Sequence, residues 1–177
     1  AEGNYMKIAE IKTCLIDRYL LVRIYTDTGI VGNGEAGYWE YHRTTAEHIR
    51  ALGDYLIGKD PCLIEHHHQV IARNTHFSGV VLSAALSAID IALWDILGKS
   101  VGLPVYQLLG GKCRDKIRVF ENVGGDTVND RAESAQRSVG DGFTSLRTAP
   151  FFTGFEKRES SANITHAIDI VAGIRDA

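Results

Sequence analysis

Apolar residues recur along this chain in two different rhythms. Residues 7–15 and 19–26 read as strands, and the short polar link Asp17-Arg18 suits a tight hairpin between them. Asp27-Thr28-Gly29 is a turn signal, after which Ile30-Val31 open a third short strand. Three antiparallel strands bury too little apolar area by themselves, so one face needs a cover. The rhythm that follows is helical. Thr44-Thr45 with Glu47 form a capping signal for a helix through Leu56, closed by Gly58 and apolar on one face at Ile49, Leu52 and Leu56. Pro61 opens a second helix that runs to about residue 73. A third, residues 80–98, is dense in small residues (Ala84, Ala85, Ala88, Ala92), which predicts close approach of another backbone and a place at the centre of the layer. Gly98 is its expected stop, and Pro104 opens a further short turn through Leu109.

After Gly110-Gly111 the order changes. Residues 117–120 form a short apolar run, followed by Gly124-Gly125-Asp126 and a helical stretch over 130–139. Gly140-Asp141-Gly142 is a turn, 143–146 a second strand, and 161–175 a helix. Strand, helix, strand, helix with crossovers of this length implies parallel strands and a boundary near Lys116. Two strands and two helices cannot close a parallel sheet covered on both faces. The expectation is that more chain follows Ala177, or that another chain supplies strands.

Composition narrows the function classes. The 177 residues are 45% hydrophobic and 23% charged, which fits a folded globular protein and not a disordered one. A net charge of −3, without a Lys/Arg cluster, gives no electrostatic reason to bind nucleic acid or an anionic membrane. Uninterrupted apolar runs fall short of the roughly 20 residues of a membrane span. Residues 1–5 lack the form of a signal peptide, and three widely spaced cysteines (Cys14, Cys62, Cys113) suit a reducing cytoplasm.

Particular residues then become recognisable. Asp27-Thr28-Gly29-Ile30-Val31-Gly32-Asn33-Gly34-Glu35-Ala36 resembles the turn-strand-Gly-x-Gly-Glu signature of the mandelate racemase and muconate lactonizing enzyme branch of the enolase superfamily. Gly58-Lys59-Asp60-Pro61 resembles the segment opening that family's second helix. The run from Ser87 through Trp94-Asp95-Ile96-Leu97-Gly98-Lys99, continuing as Leu103-Pro104-Val105-Tyr106-Gln107-Leu108-Leu109-Gly110-Gly111, is the most specific match. The resemblance implies an α+β capping domain (6–115: a three-stranded antiparallel meander plus helices) and the first two βα units of a (β/α)₇β TIM-like barrel (116–177), incomplete in this chain. Cap and barrel together need roughly twice this length, since a barrel takes about 250 residues.

The resemblance also implies chemistry: abstraction of the proton α to a carboxylate, with Mg²⁺ stabilising the enediolate. Its three acidic metal ligands sit on later barrel strands, so none is expected within this chain. Many members end barrel strand two in Lys-x-Lys. Here Arg147 matches the first lysine and Ala149 stands in place of the second. Arginine stays protonated and is a poor base, but it clamps a carboxylate through paired hydrogen bonds. This departure favours a sugar-acid dehydratase, as does the short motif Gly124-Gly125-Asp126, over a racemase, epimerase or cycloisomerase. From a different class, a noncatalytic binding or assembly module is the other reading. Dimers or octamers follow from the resemblance alone.

Arg147 is thus the candidate catalytic and carboxylate-binding residue, and Tyr38, Trp39 and Tyr41 are candidate substrate contacts on a cap loop. Residues 151–158 are a candidate lid. His66-His67-His68 cannot converge on one ion, because consecutive helical residues point about 100° apart, so this run is expected to be solvated or partner-facing. His76 is expected at a helix entry, Glu35 in a structural hydrogen bond or ion pair, and Asp90 and Asp95 paired with an arginine of the same domain.

Overall fold

Asp17, at φ 52°, reverses the chain between β1 (Ile8–Ile16) and β2 (Tyr19–Thr26), whose register opens at Ile16 opposite Tyr19. Aspartate tolerates this left-handed backbone better than most residues. The computed structural model describes residues 5–37, 40–76, 78–151 and 160–177, which divide into two compact units, Ala1–Cys113 and Arg114–Ala177. In the first, β2 also pairs antiparallel with β3 (Val31–Ala36), giving the order β1-β2-β3. Strand alternation sends Leu20, Val22 and Ile24 of β2 to one buried face.

That face is covered by α3 (Val80–Val101), which lies on β2 and β3 with Ala85, Ala88, Ile89, Ala92, Leu93 and Ile96 buried. The small-residue helix is therefore the centre of this unit, as its composition predicts. Each buried leucine or isoleucine contributes roughly 1.5–3 kcal/mol. By length and composition α3 would pass for a membrane span, yet the buried alanine face is what holds it to the sheet. Helix α1 (His42–Leu56) buries Ile49 and Leu56 and packs on β1 and α3, and α2 (Ile64–Asn74) packs on α3.

The structure corrects several sequence expectations. The α1 cap is Tyr41, without a side-chain cap bond, and Thr45 lies inside the helix with its N–H on the Tyr41 carbonyl. The chain enters from Glu40 at φ 72°, and the helix starts three residues earlier than a Thr44 cap would place it. Pro61 does not open α2: Asp60 accepts the Cys62 N–H at 2.8 Å, and this turn delays the helix to Ile64. Gly98 does not stop α3, because its missing side chain serves packing; a Cβ there would lie 2.8 Å from the Leu103 carbonyl oxygen. The stop is Gly102, at φ 67°. The short helix α4 (Val105–Leu108) follows.

Asp95 finds no arginine. Its Oδ2 accepts from Lys99 Nζ (2.7 Å) and from Asn33 N and Nδ2 (2.8 and 3.2 Å), while Lys99 also donates to the Val31 carbonyl (2.6 Å). This clasp ties β3 to α3. Burial pushes the Asp95 carboxyl up, but the Lys99 and Asn33 bonds outweigh it and leave the carboxyl below the usual aspartate range. A depressed folded pKa means its stabilisation is complete above the unfolded value of about 3.9 and fades as pH falls through the folded value. Acid titration of thermal stability should show this loss, of about 1 kcal/mol after solvent screening. Asp95→Asn should remove that component of the pH profile; an unchanged profile would discard the clasp.

The second unit carries two short strands, β4 (Glu121–Asn122) and β5 (Leu146–Arg147), paired in parallel as the crossover lengths predict. Both lie later than the apolar runs suggested. Pairing, not hydrophobicity, sets their position, and Ile117, Val119 and Phe120 remain 76%, 61% and 49% exposed. Helix α5 (Val128–Gly140) opens with a reciprocal cap between Thr127 and Asp130, and α6 (Ser160–Asp176) packs on α5. The unit is two parallel βα units, with Val139, Ile164, Ile168 and Val171 also exposed.

Candidate functional site

Parallel βα units present their functional loops at the carboxyl ends of the strands. In the second unit these ends are tied by backbone bonds, Glu121 N to Ser145 O (3.1 Å) and Val123 N to Arg147 O (2.8 Å). Beyond them the chain leaves as Gly124-Gly125-Asp126 and Thr148-Ala149. Together with Arg131, these loops border a cavity of about 460 Å³.

Arg131 organises it. From α5 its Nε donates to the Gly125 carbonyl (2.9 Å), and Nη1 donates to Thr148 Oγ1 (3.0 Å) and the Ala149 carbonyl (2.5 Å). One side chain thus joins the loops after both strands, and it is only 9% exposed. Gly125 sits so close to the first turn of α5 that a Cβ would lie 3.0 Å from Arg131 N. Sequence reading missed Arg131. The available signal was a cation in the first turn of a helix, where the macrodipole disfavours it.

Arg147 ends β5 with its guanidinium 5.7 Å from the centre of the Phe120 ring, a cation–π placement. It is exposed, forms no ion pair among the described residues, and does not line the Arg131 cavity. Ala149 does line it. In the first unit Tyr41 is 46% exposed at the head of α1, whereas Tyr38 and Trp39 lie outside the described residues, as do residues 152–158 of the candidate lid.

The three consecutive histidines separate as helical geometry requires, but one is not solvated. His67 is 2% exposed, with Nε2 2.8 Å from the Asp60 carbonyl and Nδ1 3.0 Å from the Tyr55 hydroxyl. A carbonyl only accepts, so Nε2 carries the proton and Nδ1 accepts from Tyr55. His66 and His68 are exposed. His68 Nδ1 stands 4.0 Å from Asp90 Oδ1, so Asp90 faces a histidine and not an arginine. Burial raises the Asp90 carboxyl above its ordinary range, with Glu65 adding to the shift and His68 opposing it. His76 is exposed just before α3, and Glu35 is exposed, its side chain forming no ion pair or hydrogen bond among the described residues. No group of three or more His, Cys, Asp or Glu side chains among the described residues could hold a metal ion.

Comparison with known proteins follows the same division. The profile of the mandelate racemase / muconate lactonizing enzyme N-terminal domain matches residues 6–110. D-galactonate dehydratase of Pectobacterium atrosepticum is 40% identical over 97% of this chain, and that of Variovorax paradoxus 37%. The chain spans 45% of the length of each of these relatives. Among solved structures, an enolase superfamily member from Salmonella Typhimurium superposes with a TM-score of 0.88 at 30% identity, covering 97% of this chain and 51% of that one. An enolase from Pantoea ananatis, with bound D-gluconate and Mg, gives 0.76 at 37% identity, covering 81% of this chain and 36% of that one. The capping-domain profile matches over more than half of the chain, and sheet, helices and parallel strands follow in the expected order: this chain belongs to the mandelate racemase / muconate lactonizing enzyme family of the enolase superfamily.

Proposed function

We propose that the protein to which this chain belongs is a Mg²⁺-dependent sugar-acid dehydratase, with residues 6–115 as its cap and 116–177 as the start of its barrel. The observation that carries this reading is the polar cavity at the carboxyl ends of β4 and β5, in a chain 40% identical to a D-galactonate dehydratase. The reaction removes the proton α to the carboxylate and expels the β-hydroxide. The resulting enol tautomerises to a 2-keto-3-deoxy acid. Mg²⁺ belongs to this proposal through the family, as does cytoplasmic homo-oligomeric assembly. The described residues do not themselves fit a Mg²⁺ site, since they bring no three acidic or histidine ligands together.

What these residues contribute is binding. Arg147, fixed at a strand end and held over Phe120, offers a permanent positive charge to the carboxylate and cannot serve as the base that takes the α-proton. Tyr38, Trp39 and Tyr41 complete the proposed substrate contacts from the cap. Ala149, where a second lysine would stand, leaves strand two without a basic amine, which favours elimination over two-base racemisation.

The test is turnover of aldonates and aldarates by the purified full polypeptide with Mg²⁺, with formation of the keto acid read by its semicarbazone absorbance. D-galactonate or a close relative should be consumed. Arg147→Ala should lower kcat/KM by about 10–100-fold, consistent with loss of a charge-assisted hydrogen bond, and Arg147→Lys should restore part of it. An enzyme that consumes no sugar acid, or that is indifferent to Arg147→Ala, defeats the assignment.

A further inference from the structure

Burying an arginine without a carboxylate partner is costly, because its charge is desolvated against neutral acceptors only. Arg131 is in that position: nine-tenths buried, bonded to two carbonyls and one hydroxyl, and without an ion pair among the described residues. It also stands in the first turn of α5, where the helix end is itself electropositive. Three N–H groups hold the two loops. The remaining nitrogen, Nη2, donates to nothing among the described residues, and the side chain lines the cavity of about 460 Å³. Nη2 is not among the buried orphaned atoms, so it opens to the cavity, where a bound acceptor can replace water on its N–H groups.

The same cavity is bordered by Asp126, an exposed carboxylate that accepts only. A donor edge and an acceptor sharing one cavity match a group that both accepts and donates, which is a hydroxyl. An anion would be drawn to Arg131 but repelled by Asp126. We propose that Arg131 is a specificity-determining residue whose Nη2 donates to a hydroxyl of the sugar acid's polyol chain, with Asp126 accepting from that chain. This inference rests on the dehydratase reading and adds to it the part of the substrate that is read. It assigns Arg147 to the carboxylate end and Arg131 to the hydroxylated tail.

Discrimination between substrates tests this, because a ratio of kcat/KM values does not depend on how much enzyme is folded. The full polypeptide with Mg²⁺ is assayed on its accepted aldonate and on D-glycerate, which keeps the reacting 2,3-dihydroxy acid and lacks the tail. Arg131→Ala should reduce the preference for the long acid by about tenfold or more, the scale of one charge-assisted hydrogen bond. Arg131→Lys should retain part of the preference and covers the case in which the alanine variant does not fold. An unchanged ratio in either folded variant overturns the proposal and leaves Arg131 a loop clamp. Side-chain ¹H–¹⁵N resonances of Arg131 in the wild-type chain give a second readout. They should shift with potassium D-gluconate and stay still with equimolar potassium chloride, and no shift with gluconate also overturns it. Absence of all sugar-acid turnover by the wild-type enzyme sinks the dehydratase reading instead, and the resonance shift then decides Arg131 by itself.

Discussion

Gly34→Ala is expected to unfold the N-terminal unit at physiological temperature. A Cβ on Gly34 would collide with the backbone carbonyl of Ala88, and one on Gly32 with that of Ala92. Neither obstacle is the far end of a flexible side chain, so the clash is relieved only if α3 lifts from β3. Lifting α3 gives up the burial of Ala88, Ala92, Leu93 and Ile96 against the sheet. Overpacking typically costs about 1–3 kcal/mol, and rigid backbone on both sides places this case above that, at about 4 kcal/mol or more. Against a total stability of about 5–15 kcal/mol, such a loss should appear as a large drop in the circular-dichroism melting temperature. Gly53→Ala is the contrast. Gly53 lies inside α1, where a Cβ meets only Ile11 Cδ1 at 3.8 Å, so alanine should stabilise the helix by about 0.5–1 kcal/mol. Equal melting of Gly34→Ala and wild type would show that α3 does not rest on the strand in solution.

The second large effect concerns His67. Leucine at this position fills the space but removes both hydrogen bonds, leaving the Tyr55 hydroxyl and the Asp60 carbonyl without their partner in a partly buried setting. Each abandoned group costs about 1–3 kcal/mol, so His67→Leu should destabilise by about 2–6 kcal/mol in denaturant titrations. His66→Gln, one residue away on the exposed face, should stay within about 0.5 kcal/mol. Tyr55→Phe removes one of the two bonds and should fall between them. If His66 and His67 variants behave alike, the bridge between α1, the 58–61 turn and α2 carries no energy.

These two cases mark how much of the molecule was legible beforehand. The Gly-x-Gly-Glu run was readable as a signature, yet its reason is the Ala88 and Ala92 backbone lying across the strand, more than 50 residues away in sequence. Consecutive helical residues point apart, so the three histidines meet different surroundings. Which of the three is buried depended on where Tyr55 and Asp60 lie. The apolar run at 117–120 looked like a strand, but β4 formed at Glu121–Asn122, since a strand exists only where a neighbour pairs with it. Arg147 is a candidate through a motif comparison, and its role is part of the proposal. Arg131 matched no motif and emerged only when the loops after two strands were seen to converge on its guanidinium.

Period, turn residues and motif spacing are written locally, and they carry the order of elements, the alanine face of α3, the change from antiparallel to parallel architecture and the family. Tertiary structure decided helix entry at His42 and Ile64, the partners of Asp95 and His67, and the residue that gathers the candidate pocket. Those outcomes depend on which distant groups face each other, and a hydrogen bond or a steric limit exists only once both sides are in place.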